Sequence, residues 1–113
     1  MSNLAPYPEF IKSLPKADIP MAGVTAHLLA APSGQVVFFE LPAGSTVPPH
    51  SHGAQWGIVV HGEIELTIGG RTKTYLAGDS YAIGDGEEHS GKAHTDCLVI
   101  DVFSEADRYA AKG

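Results

Sequence analysis

The chain has 113 residues, 43% of them hydrophobic, which is enough for one domain with a single core. Lysine and arginine number 7 against 13 aspartate and glutamate residues, giving a formal charge of −6 without any basic run. This balance argues against a nucleic-acid partner. No segment approaches the roughly 20 apolar residues of a membrane-spanning helix, so we also expect no membrane partner.

The first twenty residues contain four of the eight prolines and show no sustained hydrophobic period. We therefore predict an extended N-terminal arm over residues 1–20, rather than a helix or a core strand, followed by a single barrel domain over residues 21–113. Apolar side chains such as Tyr7 and Phe10 predict that the arm packs across its own barrel or that of a partner. A disordered tail is the alternative.

From residue 21 onward the pattern predicts strands separated by glycine, proline, aspartate and serine. Residues 63–68 alternate, with Ile64, Leu66 and Ile68 on the face expected to be buried, and Gly69 and Gly70 form a two-residue hairpin turn. Short strands with such turns indicate an all-β sandwich or barrel. The predicted strands are 24–29, 36–41, 55–60, 63–68, 71–76, 80–83 and 98–103.

The C-terminal residues after Ser104 show a helical period, and we predict a short terminal helix capped by that serine.

The only cysteine, Cys97, lies in an apolar run and has no intramolecular partner. The N-terminus also lacks the basic and apolar regions of a signal peptide. A reducing cytoplasm is therefore the expected location.

Two histidines separated by one residue, His50 and His52, lie at the entry to a predicted strand, with Gln55 three residues further on. Side chains at i and i+2 of a strand point to the same face, so both imidazoles can converge on one metal ion. Pro48 and Pro49 carry no N–H, and we expect them to hold the approach to His50 extended and outside any hydrogen-bond ladder.

A second stretch, residues 78–93, combines turn glycines with a further histidine, His89. In an up-and-down or jelly-roll barrel, this stretch would return His89 to the neighbourhood of His50 and His52. A lone histidine is more often a surface or core residue than a ligand, so the glycine frame is what singles out His89.

Together the two stretches resemble the paired motifs of the cupin superfamily, over about residues 40–103. Both motifs are histidine patterns framed by turn glycines, here Gly44, His50, His52, Gln55 and Gly62, and then Gly78, Gly84, Gly86, His89 and Ala93. The resemblance implies a cupin-type double-stranded β-helix, or jelly-roll barrel. Three positions depart from the motifs: Gln55 replaces a glutamate with a spacer one residue short, Gly84 replaces a proline, and Ala93 replaces an asparagine.

The resemblance implies a metal site of His50, His52, Gln55 and His89, similar to the three-histidine, one-glutamine sites of some small cupins. It would hold one divalent transition metal ion, and imidazole-rich sites accept Zn, Fe, Ni, Co, Mn or Cu. A metal-free barrel with coincident histidines is the alternative. The remaining histidines are weaker candidates: His61 at the barrel end, His27 on a solvated strand, and His94 either as an acid or base at the cavity mouth or on a water-facing loop.

Neutral ligands leave the metal charge uncompensated, which favours a small oxygen-rich metabolite that is anionic or contains a carbonyl. Lewis-acid chemistry of the isomerase or cyclase type is the favoured function. A non-enzymatic metal- or ligand-binding protein and an iron-dependent dioxygenase are the alternatives, and a cavity-facing acid or base would favour an enzyme. An apolar arm and exposed sheet edges predict a homodimer that pairs through the arm or an apolar outer sheet face.

Overall fold

The structure, a computed structural model, describes residues 7–112. Over that range the chain forms one short helix, α1 (Glu9–Lys12), and is otherwise built from strands. The strands are β1 (Thr25–Ala31), β2 (Gly34–Leu41), β3 (Thr46–His50), β4 (Gln55–His61), β5 (Glu63–Ile68), β6 (Arg71–Leu76), β7 (Ser80–Ile83), β8 (His89–Ala93) and β9 (Cys97–Phe103).

The strands form two antiparallel sheets that face each other across the core. One sheet has the order β1-β2-β9-β4-β7 and the other has the order β3-β8-β5-β6. The core is contributed by the inward-facing side chains of both sheets, including Val37, Phe39, Val59, Ile64, Ile83, Val99 and Phe103. The all-β double-sheet prediction is confirmed.

All seven predicted strands are present, with ends shifted by at most two residues. In β5, Ile64 is buried while Leu66 and Ile68 pack partly against the core. Gly69 and Gly70 have φ values of 56° and 82°, which only glycine adopts readily, and they close the β5–β6 hairpin.

Strand β3 was not predicted, because two adjacent prolines argue against a strand. In the structure they occupy an irregularity in its pairing with β8: Val47 pairs with Gly91, and the next pair is His50 with His89. Pro48 and Pro49 therefore remain outside the regular ladder, although they lie within the strand.

The prediction that residues 1–20 are extended throughout is wrong over Glu9–Lys12, which form a single helical turn. Residues 1–6 of the predicted arm lie outside the described range. Further along, Lys16 pairs with His27, so this segment lies beside β1 of its own barrel. Tyr7 is buried, and its hydroxyl donates to the carbonyls of Phe39 and Val99.

The predicted C-terminal helix is also wrong, since residues 104–112 form turns and a bridge between Ala111 and Ala17. The reason is competition for the backbone groups. The buried Gln35 side chain donates to the carbonyls of Ala106 and Tyr109 and accepts from the Tyr109 N–H, so these groups are unavailable to a helix. The segment is thereby held across one end of the barrel.

Candidate metal centre

Three histidines from different parts of the chain converge at one end of the barrel. His50 ends β3 and pairs directly with His89, the first residue of β8, while His52 lies in the loop that leads to β4. Their ring centroids are 4.2 to 5.1 Å apart. One ligating atom from each of the three residues lies within 4.8 Å of the other two.

The convergence of His50 and His52 has a different cause from the predicted one. Strand β3 ends at His50, so strand alternation does not place His52. Its position depends on contacts of the loop instead, including a hydrogen bond from the Gly86 N–H to the His52 carbonyl, at 2.8 Å. This bond joins the loop that carries His52 to the turn that precedes His89.

Each of the three imidazoles has its Nδ1 atom within hydrogen-bond distance of a backbone carbonyl. The distances are 2.9 Å from His50 to Pro48, 2.8 Å from His52 to Gly53, and 2.9 Å from His89 to Glu87. A carbonyl oxygen can only accept, so each Nδ1 carries a proton, and in the neutral imidazole the Nε2 atom then keeps its lone pair. Such bonds set the tautomer and orientation of metal-binding histidines.

The Nε2 atoms of His52 and His89 are buried and have no hydrogen-bond partner among residues 7–112. Burial lowers the pKa of both imidazoles, which favours the neutral form. A neutral imidazole with a free Nε2 is the form that ligates a metal. The three-histidine group therefore fits a divalent transition metal ion.

Gln55, the first residue of β4, lines the same cavity as the three histidines. Its Oε1 atom is buried and finds no hydrogen-bond partner in the described part of the chain. An amide oxygen is a suitable ligand for a divalent cation, so the side chain is available for the role that the sequence resemblance implies.

The cavity beside the histidines has a volume of about 60 Å³ and is lined mainly by apolar side chains. A larger and more open cavity of about 460 Å³ adjoins it at His50. The outer cavity has the size of a small-molecule site, whereas the inner one has room for a few atoms only.

A buried carboxyl group in the inner cavity escaped the sequence analysis. Asp101 on β9 accepts a hydrogen bond of 2.6 Å from the Tyr81 hydroxyl. Burial raises the pKa of Asp101 to about 6, although hydrogen bonds from Tyr81 and Gln55 partly oppose the rise. Gly57 lies opposite and has to be a glycine, because a Cβ there would collide with Asp101 and Tyr81.

A cationic side chain in the outer cavity was also missed. The guanidinium of Arg108 lies 4.4 Å from the centre of the Tyr109 ring and 5.9 Å from that of Phe103. Its Nε atom is buried and has no hydrogen-bond partner among the described residues. Arg108 belongs to the segment expected to be helical, and that expectation gave no reason to place it at a cavity.

The other three histidines lie outside the converging group. His27 was expected to be solvated, but it is only 3% exposed, because Lys16 pairs alongside it at the edge of the sheet. His61 is half-buried at the end of β4. His94 is exposed on the loop after β8, with its Nε2 3.1 Å from a carboxylate oxygen of Glu65.

Comparison with protein families gives a clear assignment. The family model of the cupin domain matches residues 37–103, which is more than half of the chain. The chain belongs to the cupin family. The matched range contains the three converging histidines, Gln55 and Asp101.

Several solved structures superpose on most of this cupin. KdgF from Halomonas sp. is 26% identical, with a TM-score of 0.74 over 80% of this chain and 87% of that one. An RmlC-like cupin from Shewanella frigidimarina is 25% identical, with a TM-score of 0.80 over 92% and 95% of the two chains. A predicted oxalate decarboxylase from Thermotoga maritima is 22% identical, with a TM-score of 0.72 over 83% and 95%.

No curated protein matches the chain. Within residues 7–112, no helix is long and apolar enough to cross a membrane.

Proposed function

We propose that this cupin binds one divalent transition metal ion through His50, His52, Gln55 and His89, and acts on a small oxygen-rich metabolite. One observation carries the proposal: His52 Nε2, His89 Nε2 and Gln55 Oε1 line one cavity, and all three are buried without a partner among the described residues. Buried polar atoms normally have hydrogen-bond partners, so three unpartnered ones around a small cavity indicate a missing ligand.

The ligand set consists of imidazole and amide groups, which are compatible with Zn, Fe, Ni, Co, Mn or Cu. When bound, such an ion supplies Lewis-acid polarisation of a ligand oxygen. Because all four proposed protein ligands are neutral, they favour a metabolite whose coordinating oxygen is anionic or belongs to a carbonyl.

Arg108 supports the choice of an anionic ligand. Its guanidinium faces the outer cavity and forms no salt bridge with any described carboxylate. Stacking on Tyr109 holds the group without neutralising its charge. In a protein with a net charge of −6, an unpaired arginine beside the proposed metal site favours a carboxylate-bearing ligand.

Asp101 and Tyr81 favour an enzyme over a passive binding protein. The Asp101 carboxyl faces the inner cavity and is held by the Tyr81 hydroxyl, so it can accept or return a proton beside a bound ligand. This arrangement suits isomerisation or cyclisation of a carbonyl compound. The similarity to the Thermotoga protein carries the fold and not its predicted decarboxylase activity.

Two alternatives remain. Non-enzymatic capture of a metal or small ligand would use the same cavity without proton transfer. An iron-dependent dioxygenase is favoured instead if Gln55 is not a ligand, because the compact donor group is then the three histidines alone.

The test is a screen of small hydroxy acids, keto acids and sugar acids with metal-stripped protein, with protein reloaded with each candidate metal, and with a reloaded Asp101→Asn variant. The enzyme proposal predicts turnover that requires metal and falls roughly 100-fold or more in Asp101→Asn, the typical loss of a general acid or base. Ligand binding without turnover would support the binding protein. A wild-type protein that retains no added metal would overturn the whole proposal.

We further propose that the protein is a cytoplasmic homodimer. Leu29, Val36, Val102 and Trp56 form one cross-strand row on the outer face of the five-stranded sheet. Three of them are well exposed: Leu29 at 50%, Trp56 at 44% and Val102 at 40%. A continuous apolar row of this kind favours pairing with a second copy. The single buried thiol of Cys97 is consistent with a reducing compartment.

A further inference from the structure

The loop that carries His52 is supported from behind by the first residues after β9. The Ser104 N–H donates to the Ala54 carbonyl at 2.9 Å, and the Gly53 N–H donates to Oε1 of Glu105 at 2.9 Å. The fit is close, because a Cβ added to Gly53 would lie 2.8 Å from the Ser104 hydroxyl and 2.9 Å from the Glu105 side chain. The loop and the C-terminal segment are therefore packed as one unit.

Gly53 connects Glu105 to the imidazole of His52. The His52 Nδ1–H donates to the Gly53 carbonyl at 2.8 Å, while the Gly53 N–H donates to Glu105. The same carboxylate oxygen lies 3.9 Å from His52 Nδ1 itself. On its other side the His52 ring meets Phe103 edge to face, with centroids 5.4 Å apart.

His52 needs this support more than the other two histidines do. His50 and His89 lie in strands and pair with each other across the ladder, whereas His52 lies in a loop without strand pairing. Among the described residues, His52 is also the one histidine of the three that has a carboxylate at salt-bridge distance. The four proposed metal ligands carry no charge, and Glu105 would be a negative group just outside them, on the side of His52.

We propose that Glu105 is a positioning residue for the metal site: it fixes the orientation of the His52 imidazole and places a negative charge behind it. The inference rests on the proposed function, since it requires a metal at the three histidines. The hydrogen bond to Gly53 and the charge make separate contributions. Glu105→Gln removes only the charge, whereas Glu105→Ala removes both.

The experiment is a cobalt(II) titration of the full chain, followed by the visible spectrum of the bound ion and by competition with a chelator. Loss of a group that orients a metal ligand typically weakens binding 10- to 100-fold, so we expect roughly tenfold weaker binding in Glu105→Ala. We expect roughly threefold weaker binding in Glu105→Gln at low salt, the scale of a partly exposed charge pair, and near-wild-type binding at high salt. Asp107→Asn, which removes an equal charge from an exposed position on the same segment, should match the wild type.

Two results would overturn the proposal. If Glu105→Ala binds cobalt as tightly as Asp107→Asn does, with the same spectrum, then Glu105 does not position His52. If Glu105→Ala fails to fold, the Glu105→Gln comparison decides alone, and equal affinity to Asp107→Asn at both salt concentrations would refute the role. A wild-type protein that binds no cobalt would instead refute the proposed function, a distinguishable outcome.

Discussion

The two faces of the five-stranded sheet differ sharply, although they are built from the same strands. On β4 and β9, the inner face presents Gln55 and Asp101 to the cavity, while the outer face presents Trp56 and Val102 to solvent. Neighbouring residues in the sequence thus belong to two different surfaces. The two-residue period of a strand separates the proposed chemistry from the proposed dimer contact.

The inner face also shows how buried polar groups can be told apart. Asp101 is buried and accepts hydrogen bonds from Tyr81 and Gln55. Gln55 Oε1 is equally buried but has no partner within residues 7–112. A buried polar group with a hydrogen-bond partner can stabilise the fold or exchange a proton. A buried polar group that faces a cavity without such a partner indicates that a ligand binds there.

Removing one of the three histidines, which line the same cavity as the inner face, should have the largest effect on the proposed metal site. His52→Ala and His89→Ala should each lose most bound metal, because two histidines and one amide bind far more weakly than the complete set. Elemental analysis after dialysis measures the loss. The matched control is His94→Ala, since His94 is an exposed loop residue. His27 is a less suitable control, because it is buried and its replacement would also disturb the fold. Full metal occupancy in His89→Ala would show that His89 is not a metal ligand.

Gln55→Glu changes the charge of the proposed ligand set with little change of shape. Metal retention should strengthen and binding of anionic ligands should weaken, with an upper scale of about 4 kcal/mol for unit charges ~4 Å apart at an effective dielectric of 20. The metal-free variant should be less stable, because the introduced carboxylate would stand beside that of Asp101. Metal competition and anion titration measure both effects. Wild-type values in both would exclude Gln55 as a ligand and favour the three-histidine dioxygenase alternative.

Asp101→Asn should make the metal-free protein more stable at neutral pH. The folded state raises the pKa of Asp101 from 3.8 to about 6, so it binds the proton more tightly than the unfolded state does. The resulting stabilisation of the folded state is present below pH 3.8 and is lost as the pH rises through 6. The ionised carboxyl then lowers the free energy of unfolding, a cost of up to about 3 kcal/mol. Asparagine avoids that cost. Denaturant unfolding should show a gain at about pH 7.5 that disappears near pH 4, and a pH-independent difference would contradict the buried charge.

Trp56→Glu tests the outer face and should leave the metal site unchanged. A charge at the Trp56 end of the apolar row should dissociate the dimer, because it would be desolvated at the contact. Sedimentation should give about twice the 11.9 kDa chain mass for the wild type and one chain mass for the variant, with equal metal content. A wild-type protein that sediments as one chain at micromolar concentration would refute the dimer.

Most strands could be predicted because their residues alternate and their turns need glycine. In β5, the buried Ile64 follows the alternation, and Gly69 and Gly70 mark the turn of the hairpin, so both signals lie within the segment itself. The histidines were found through their spacing and the cupin resemblance. The C-terminal segment could not be predicted, since a distant residue, Gln35, takes its backbone hydrogen bonds. The burial of His27 is likewise set by a distant segment, through Lys16.

Asp101 is the residue that sequence reasoning could have found. It stands among apolar residues of β9, at the same alternation as Val99 and Phe103, which are both buried. The two-residue period thus places a carboxyl group inside the barrel. Arg108 offered no such signal, because the turns that bring it to the outer cavity depend on contacts with other parts of the chain.

The most direct test of the proposed metal site is a crystal structure of the protein loaded with cobalt or zinc, with anomalous scattering measured at the metal absorption edge. We predict one anomalous peak per chain, at roughly 2.0–2.2 Å from the Nε2 atoms of His50, His52 and His89, with Gln55 Oε1 also within ligand distance. A peak elsewhere on the chain, or no peak in metal-loaded crystals, would contradict it.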